Sequence, residues 1–134
     1  MNPARTLSLR RAMDAGQLFT LDQLITMHAG DVVGQSNIRI EAFYAQSWAF
    51  ARYLWEGDNN KYRPALQKLF DDTAAGMVAD PTGSLRRSYL RWNPAGVRPM
   101  LEHYLGEDLS VTAKGFEAFE KKVAYDEMNS QFEL

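Results

Sequence analysis

From Ser36 to Glu56 the chain reads SNIRIEAFYAQSWAFARYLWE, and its apolar residues recur at helical spacing. Ile40, Phe43, Tyr44, Ser47, Trp48, Ala51, Leu54 and Trp55 form one broad stripe. Ala42, Ala45 and Ala49 form a second stripe of small residues, over which a neighbouring helix can approach closely. A helix that is apolar on most of its circumference has to be buried on most of it. Ser36 or Asn37 provides the N-terminal cap and Gly57 the stop. The rest of the chain must therefore supply elements that surround this segment.

Those elements also read as helices. The spacing predicts one over Ala4–Ala15 with Gly16 as its stop. Thr20 opens a capping box with Gln23, and Leu21, Leu24, Ile25 and His28 then share a face until Ala29 and Gly30 end the helix. After the turn Asp58-Asn59-Asn60, a helix starts at Arg63 or Pro64 and reaches Ala75, with Tyr62, Leu66, Leu69, Phe70 and Thr73 facing inward. Asn93-Pro94 begins another, which Gly106 closes. Ser110 is expected to cap the last, which carries Phe116, Phe119 and Val123. No stretch alternates long enough for a strand. The expectation is all-α: a compact bundle of five to six helices in one domain over residues 1–134. Within it, 1–17 is an N-terminal helix, 18–125 the main helical unit and 126–134 a frayed tail. A chain of 134 residues, 46% hydrophobic and 24% charged, is long and apolar enough for one core.

Composition narrows the chemistry. There is no Cys, so disulfides, thiolate metal sites and Cys nucleophiles are excluded. A formal charge of −2 gives no global reason to bind nucleic acid or an anionic membrane. No apolar run approaches the roughly 20 residues needed to cross a bilayer, and the N-terminus lacks the apolar core of a secretory signal. A cytoplasmic location is the default expectation. His28 and His103 belong to no HExxH, and Glu107 beside His103 finds no third ligand, so no metal or other cofactor is expected from this chain alone. There is no G-x-S-x-G and no Gly-rich phosphate loop. Arg86, Arg87, Arg91 and Arg98 surround Tyr89 and Trp92, a pattern that suits either a solvated basic face or a nucleic-acid or regulatory binding module.

The run YAQSW at Tyr44–Trp48 carries a resemblance. Together with LDQLITM before it, YRPALQKLF after it and VRPMLEHYLGEDLSVTAKGFEAFEKKV toward the end, it is similar to the C-terminal helical part of gluzincin-type metallopeptidases, in particular the bacterial peptidase MA-like group. The likeness covers about residues 18 to 123. It implies a helical subdomain that forms one wall of a zinc site. Tyr44 matches a Tyr that in related aminopeptidases stabilises the oxyanion formed during peptide hydrolysis. Tyr44, Gln46 and Trp48 are the binding candidates it implies. The chain departs from that family at the HExxH and the third zinc ligand, neither of which it contains. The resemblance therefore implies a non-catalytic domain, either a fragment of a longer polypeptide or a free-standing remnant, acting in protein interaction. Its partner would be a second copy or another protein covering an apolar face. The alternative is half of a split zinc peptidase, with zinc and its ligands supplied in trans and Tyr44 completing the site.

Overall fold

The computed structural model describes residues 2–81 and 94–127, and among them the chain is helical with no strand. Seven α-helices follow in order: α1 Pro3–Asp14, α2 Leu21–Thr26, α3 Ala29–Val32, α4 Asn37–Asn60, α5 Arg63–Ala74, α6 Val97–Leu105 and α7 Leu109–Lys121. A 3₁₀ turn, Pro94–Gly96, precedes α6, and a π-helical segment, Lys122–Glu127, extends α7.

The alanine stripe does what small residues permit. α1 lies along α4, and this is the most extensive helix pairing in the described structure. Ala42, Ala45 and Ala49 are fully buried, as are Leu9 and Ala12 on the facing side of α1. Asn2 caps α1 by accepting the Arg5 N–H at 3.2 Å, and Pro3 takes the first helical position, where its missing N–H costs nothing. The other side of α4 packs on α5 and α7, where Phe50 and Phe116 meet edge to face at 5.1 Å. One core cluster draws on α1, α2, α4, α5, α7 and the π-helical segment.

Four local expectations are corrected. His28 begins a helix rather than ending one. Met27 and His28 are extended, the His28 Nδ1 accepts the Gly30 N–H at 3.0 Å, and Asp31 accepts the His28 N–H at 2.9 Å, which together start α3. The last helix is capped by Asp108, whose Oδ1 accepts the Ser110 N–H at 2.9 Å, so Ser110 is inside the helix. Phe70 does not face inward: it is 57% exposed, because α5 is covered only along the side that carries Leu66 and Tyr62. The true stop of α4 is more elaborate than a single glycine. Gly57 leaves the helix in an extended conformation, and Asp58, Asn59 and Asn60 all take positive φ, at 49°, 57° and 64°. Asp and Asn tolerate this region better than other side chains, which explains the composition of the turn.

Candidate functional site

Tyr44, Gln46 and Trp48 are two residues apart, so successive members point about 200° from one another around α4. Gln46 is therefore turned to the opposite side from Tyr44 and Trp48, which lie about 40° apart on one face. Tyr44 is 44% exposed. The Phe43 ring meets its own edge-on at 5.5 Å, the Arg5 guanidinium of α1 lies 5.5 Å from its centroid, and no described residue hydrogen-bonds its hydroxyl. Trp48 is half-buried against the core with the Arg52 guanidinium over its ring at 5.6 Å. Gln46 has no exposed surface at all.

Gln46 acts as a peptide group inserted between segments. Its Oε1 accepts the Phe19 N–H at 2.9 Å, and its Nε2 donates to the Phe19 carbonyl at 2.9 Å and to Glu120 Oε1 at 2.8 Å. An amide has one oxygen and two N–H bonds to place, and all three are used. The side chain is thus committed to the interior, with its oxygen and both N–H bonds used there. Its partner Glu120 is 3% exposed. Burial pushes the Glu120 carboxyl up to about 7; the hydrogen bond from Gln46 works against that rise and the negative charge of Glu117 adds to it. Glu120 was not singled out in the sequence. The signal was there: Phe116, Glu120 and Val123 share one face of α7 and its extension.

A second polar group gathers where α4 ends. The Tyr53 ring is enclosed and its hydroxyl donates to Asp58 Oδ2 at 2.7 Å. Burial, reinforced by Asp58, holds its hydroxyl well above the ordinary tyrosine range. Two glycines make room for this ring. A Cβ at Gly57 would sit 2.3 Å from Tyr53 Cδ1, and one at Gly115 would sit 2.1 Å from the hydroxyl oxygen. Beside them, between the turn and α7, lies an open cavity of about 430 Å³ whose rim includes Glu56, Asp58, Asn59, Phe119 and Lys122. On the other side of Tyr53, Glu107 accepts hydrogen bonds from Tyr62 and, at 2.8 Å, from Thr112, and pairs with Lys61 at 3.5 Å. Burial alone would raise the Glu107 carboxyl, but these donors outweigh it and hold it below the ordinary glutamate value.

The described residues do not fit a zinc site. No group of three or more His, Cys, Asp or Glu side chains converges among them. His28 is engaged in the α3 cap, His103 rests edge-on against Tyr104, and Glu107 is held by Tyr62, Thr112 and Lys61. Arg86, Arg87, Arg91, Tyr89 and Trp92 lie outside the described residues. Arg98 is described, and it pairs with Asp22, Glu102 and Asp108 rather than standing on an open basic face. No helix among the described residues is long and apolar enough to cross a membrane. No family model, curated protein or solved structure matches this chain.

Proposed function

We propose that the chain is a helical interaction domain, of the kind that forms the closing wall of a gluzincin-type metallopeptidase, and that it meets a partner protein through the Tyr44 face of α4. The observation that supports this reading is the position of Tyr44. α4 buries Ala42, Ala45, Ala49, Phe50, Tyr53 and Leu54, yet exposes two large aromatics: Trp55, which the Arg63 guanidinium covers at 4.5 Å, and Tyr44, which meets Phe43 edge-on, lies near Arg5 and leaves its hydroxyl without a described partner. An aromatic with an apolar body and a polar tip is the residue type enriched at protein contacts. A second copy of the chain is the first partner to test.

A photo-reactive phenylalanine analogue at position 44, illuminated from low to high micromolar concentration, tests the reading. A cross-linked dimer joined through position 44, with a yield that rises with protein concentration, is the expected result. A monodisperse monomer in sedimentation, with no cross-link at any concentration, refutes the second-copy partner. The same labelled protein then tests the trans arrangement against a polypeptide that carries HExxH. A cross-link there, with peptide hydrolysis that falls in a Tyr44→Phe variant, would make the chain half of an enzyme.

A further inference from the structure

We propose that Gln46 and Glu120 form a protonation-controlled latch that ties the α1–α2 connection and the α7 extension to α4, tight when Glu120 is protonated and loosened when it is ionised. At Phe19 the connection is held by two hydrogen bonds, both made by the amide of Gln46, and at Gln17 by a third, donated by Arg39 Nε at 3.1 Å. The remaining N–H of that amide goes to Glu120. Three segments distant in sequence therefore meet at one side chain; ionising the carboxyl strengthens this last bond but leaves a charge in the interior, and the cost of that charge loosens the junction as a whole.

The surroundings favour the neutral acid. Gln46 is the one hydrogen-bond donor that reaches Glu120 among the described residues, and no described cation pairs with it. The charged groups of the neighbouring elements are engaged elsewhere. On α1, Arg5 lies over Tyr44, Arg10 lies over Tyr125, and Asp14 accepts from the Tyr125 hydroxyl. On α4, Arg39 bonds Gln17 and covers Phe19, and Arg52 is joined to Glu56. On α2, Asp22 pairs with Arg98. Glu117 adds negative field from α7 itself, and Lys121 and Lys122 are exposed. A buried carboxylate with one neutral donor and no counter-charge among the described residues is a poorly solvated ion. The raised value of about 7 follows from that placement.

The sign of the effect is fixed by linkage. The opened state exposes Glu120 to water, where it titrates as an ordinary glutamate, whereas the closed state holds its proton up to about 7. Between those two values the closed state binds more protons, so opening becomes easier as pH rises. The opening equilibrium should grow about tenfold per pH unit from about pH 5 to about pH 7 and level off above, since both states are then ionised.

Amide hydrogen exchange at Phe19 reads this directly, expressed as the ratio of wild type to a Glu120→Gln variant at each pH so that intrinsic exchange cancels. Glutamine keeps an oxygen to accept from Gln46 and has no proton to lose. The ratio should climb through the acid range and then flatten near neutrality. A ratio that does not change with pH overturns the latch. Should Glu120→Gln fail to fold, carbon-detected NMR of the Glu120 carboxyl in the wild-type protein decides: a midpoint near neutrality with coincident shifts at Phe19 supports the latch, and a midpoint in the ordinary glutamate range ends it.

Discussion

Gly115 sits within α7, where glycine is a poor helix former and alanine a good one, so helix propensity alone predicts that Gly115→Ala stabilises by about 1 kcal/mol. The packing predicts the reverse. The added methyl would lie 2.1 Å from the Tyr53 hydroxyl oxygen, 3.1 Å from Cζ and 3.3 Å from Asp58 Oδ2. The ring is 1% exposed and packs closely on Gly57 as well, where a Cβ would meet its Cδ1 at 2.3 Å, so any shift of the ring disturbs a second tight contact. Overpacking of this kind costs about 1–3 kcal/mol, and displacing the hydroxyl from Asp58 adds about 1 kcal/mol. The net expectation is destabilisation by about 1–3 kcal/mol, after the propensity gain is subtracted. A double-mutant cycle isolates the cause. Tyr53→Phe removes the oxygen that collides, so in that background Gly115→Ala should be near neutral, giving a coupling of about 1–3 kcal/mol. Urea unfolding of the four proteins, followed by tryptophan fluorescence, supplies the numbers. Additive free energies, or a Gly115→Ala variant more stable than wild type, would refute the argument and mean that α7 does not seat Tyr53 as described.

The remaining predictions concern single side chains. Arg39→Ala looks silent on a polar edge in sequence, but the guanidinium lies 4.4 Å from the Phe19 centroid and its Nε donates to Gln17 at 3.1 Å, so a loss of about 1–2 kcal/mol is expected in denaturant unfolding. A change below about 0.3 kcal/mol would mean that the clamp is not formed in solution. Trp48→Ala should cost about 2–3 kcal/mol, less than the roughly 3–5 of a fully enclosed aromatic, because the indole is only half-buried. Glu107 gives an acid limb to the stability curve. Its carboxyl is held below the ordinary value, so the stability it contributes is present above that value and is lost as pH falls through the folded one. Thermal melts of Glu107→Gln should accordingly be flatter with pH on the acid side than those of wild type, and parallel curves would show that Glu107 is not held by Tyr62 and Thr112.

How much was legible in the sequence depended on how local each cause is. Helix starts with their own capping side chain read correctly: the Thr20–Gln23 box is formed and Ser36 caps α4, each within three residues of chain. The positive φ of Gly16, Gly76 and Gly106 marks helix ends that glycine announces. Where two local signals competed, the reading failed. Ser110 was expected to cap the last helix and Asp108, two residues earlier, does so, and His28 was placed on an apolar face by spacing although its imidazole is a capping acceptor. Phe70 follows helical periodicity with Leu66, but periodicity says which residues share a face and not how wide the cover over that face is.

The candidate site divides in the same way. Tyr44, Gln46 and Trp48 stand out in the sequence as a set, and the angular step of a helix already turns Gln46 away from Tyr44 and Trp48, which share a face at i, i+4. Which direction meets solvent was decided only when α1 laid its small face on the alanine stripe and left Tyr44 outside. Glu120 lies 74 residues from Gln46, and Phe19 lies 27 residues away on the other side. Nothing in a 3.6-residue period can join them. Sequence by itself determined that the chain is helical, that α4 is its central element and where most helices begin, because propensity, capping and turn chemistry act over a few residues. Tertiary structure alone decided that a buried amide holds a distant backbone and a distant carboxyl, because such pairing arises from packing the helices together and excluding water from between them.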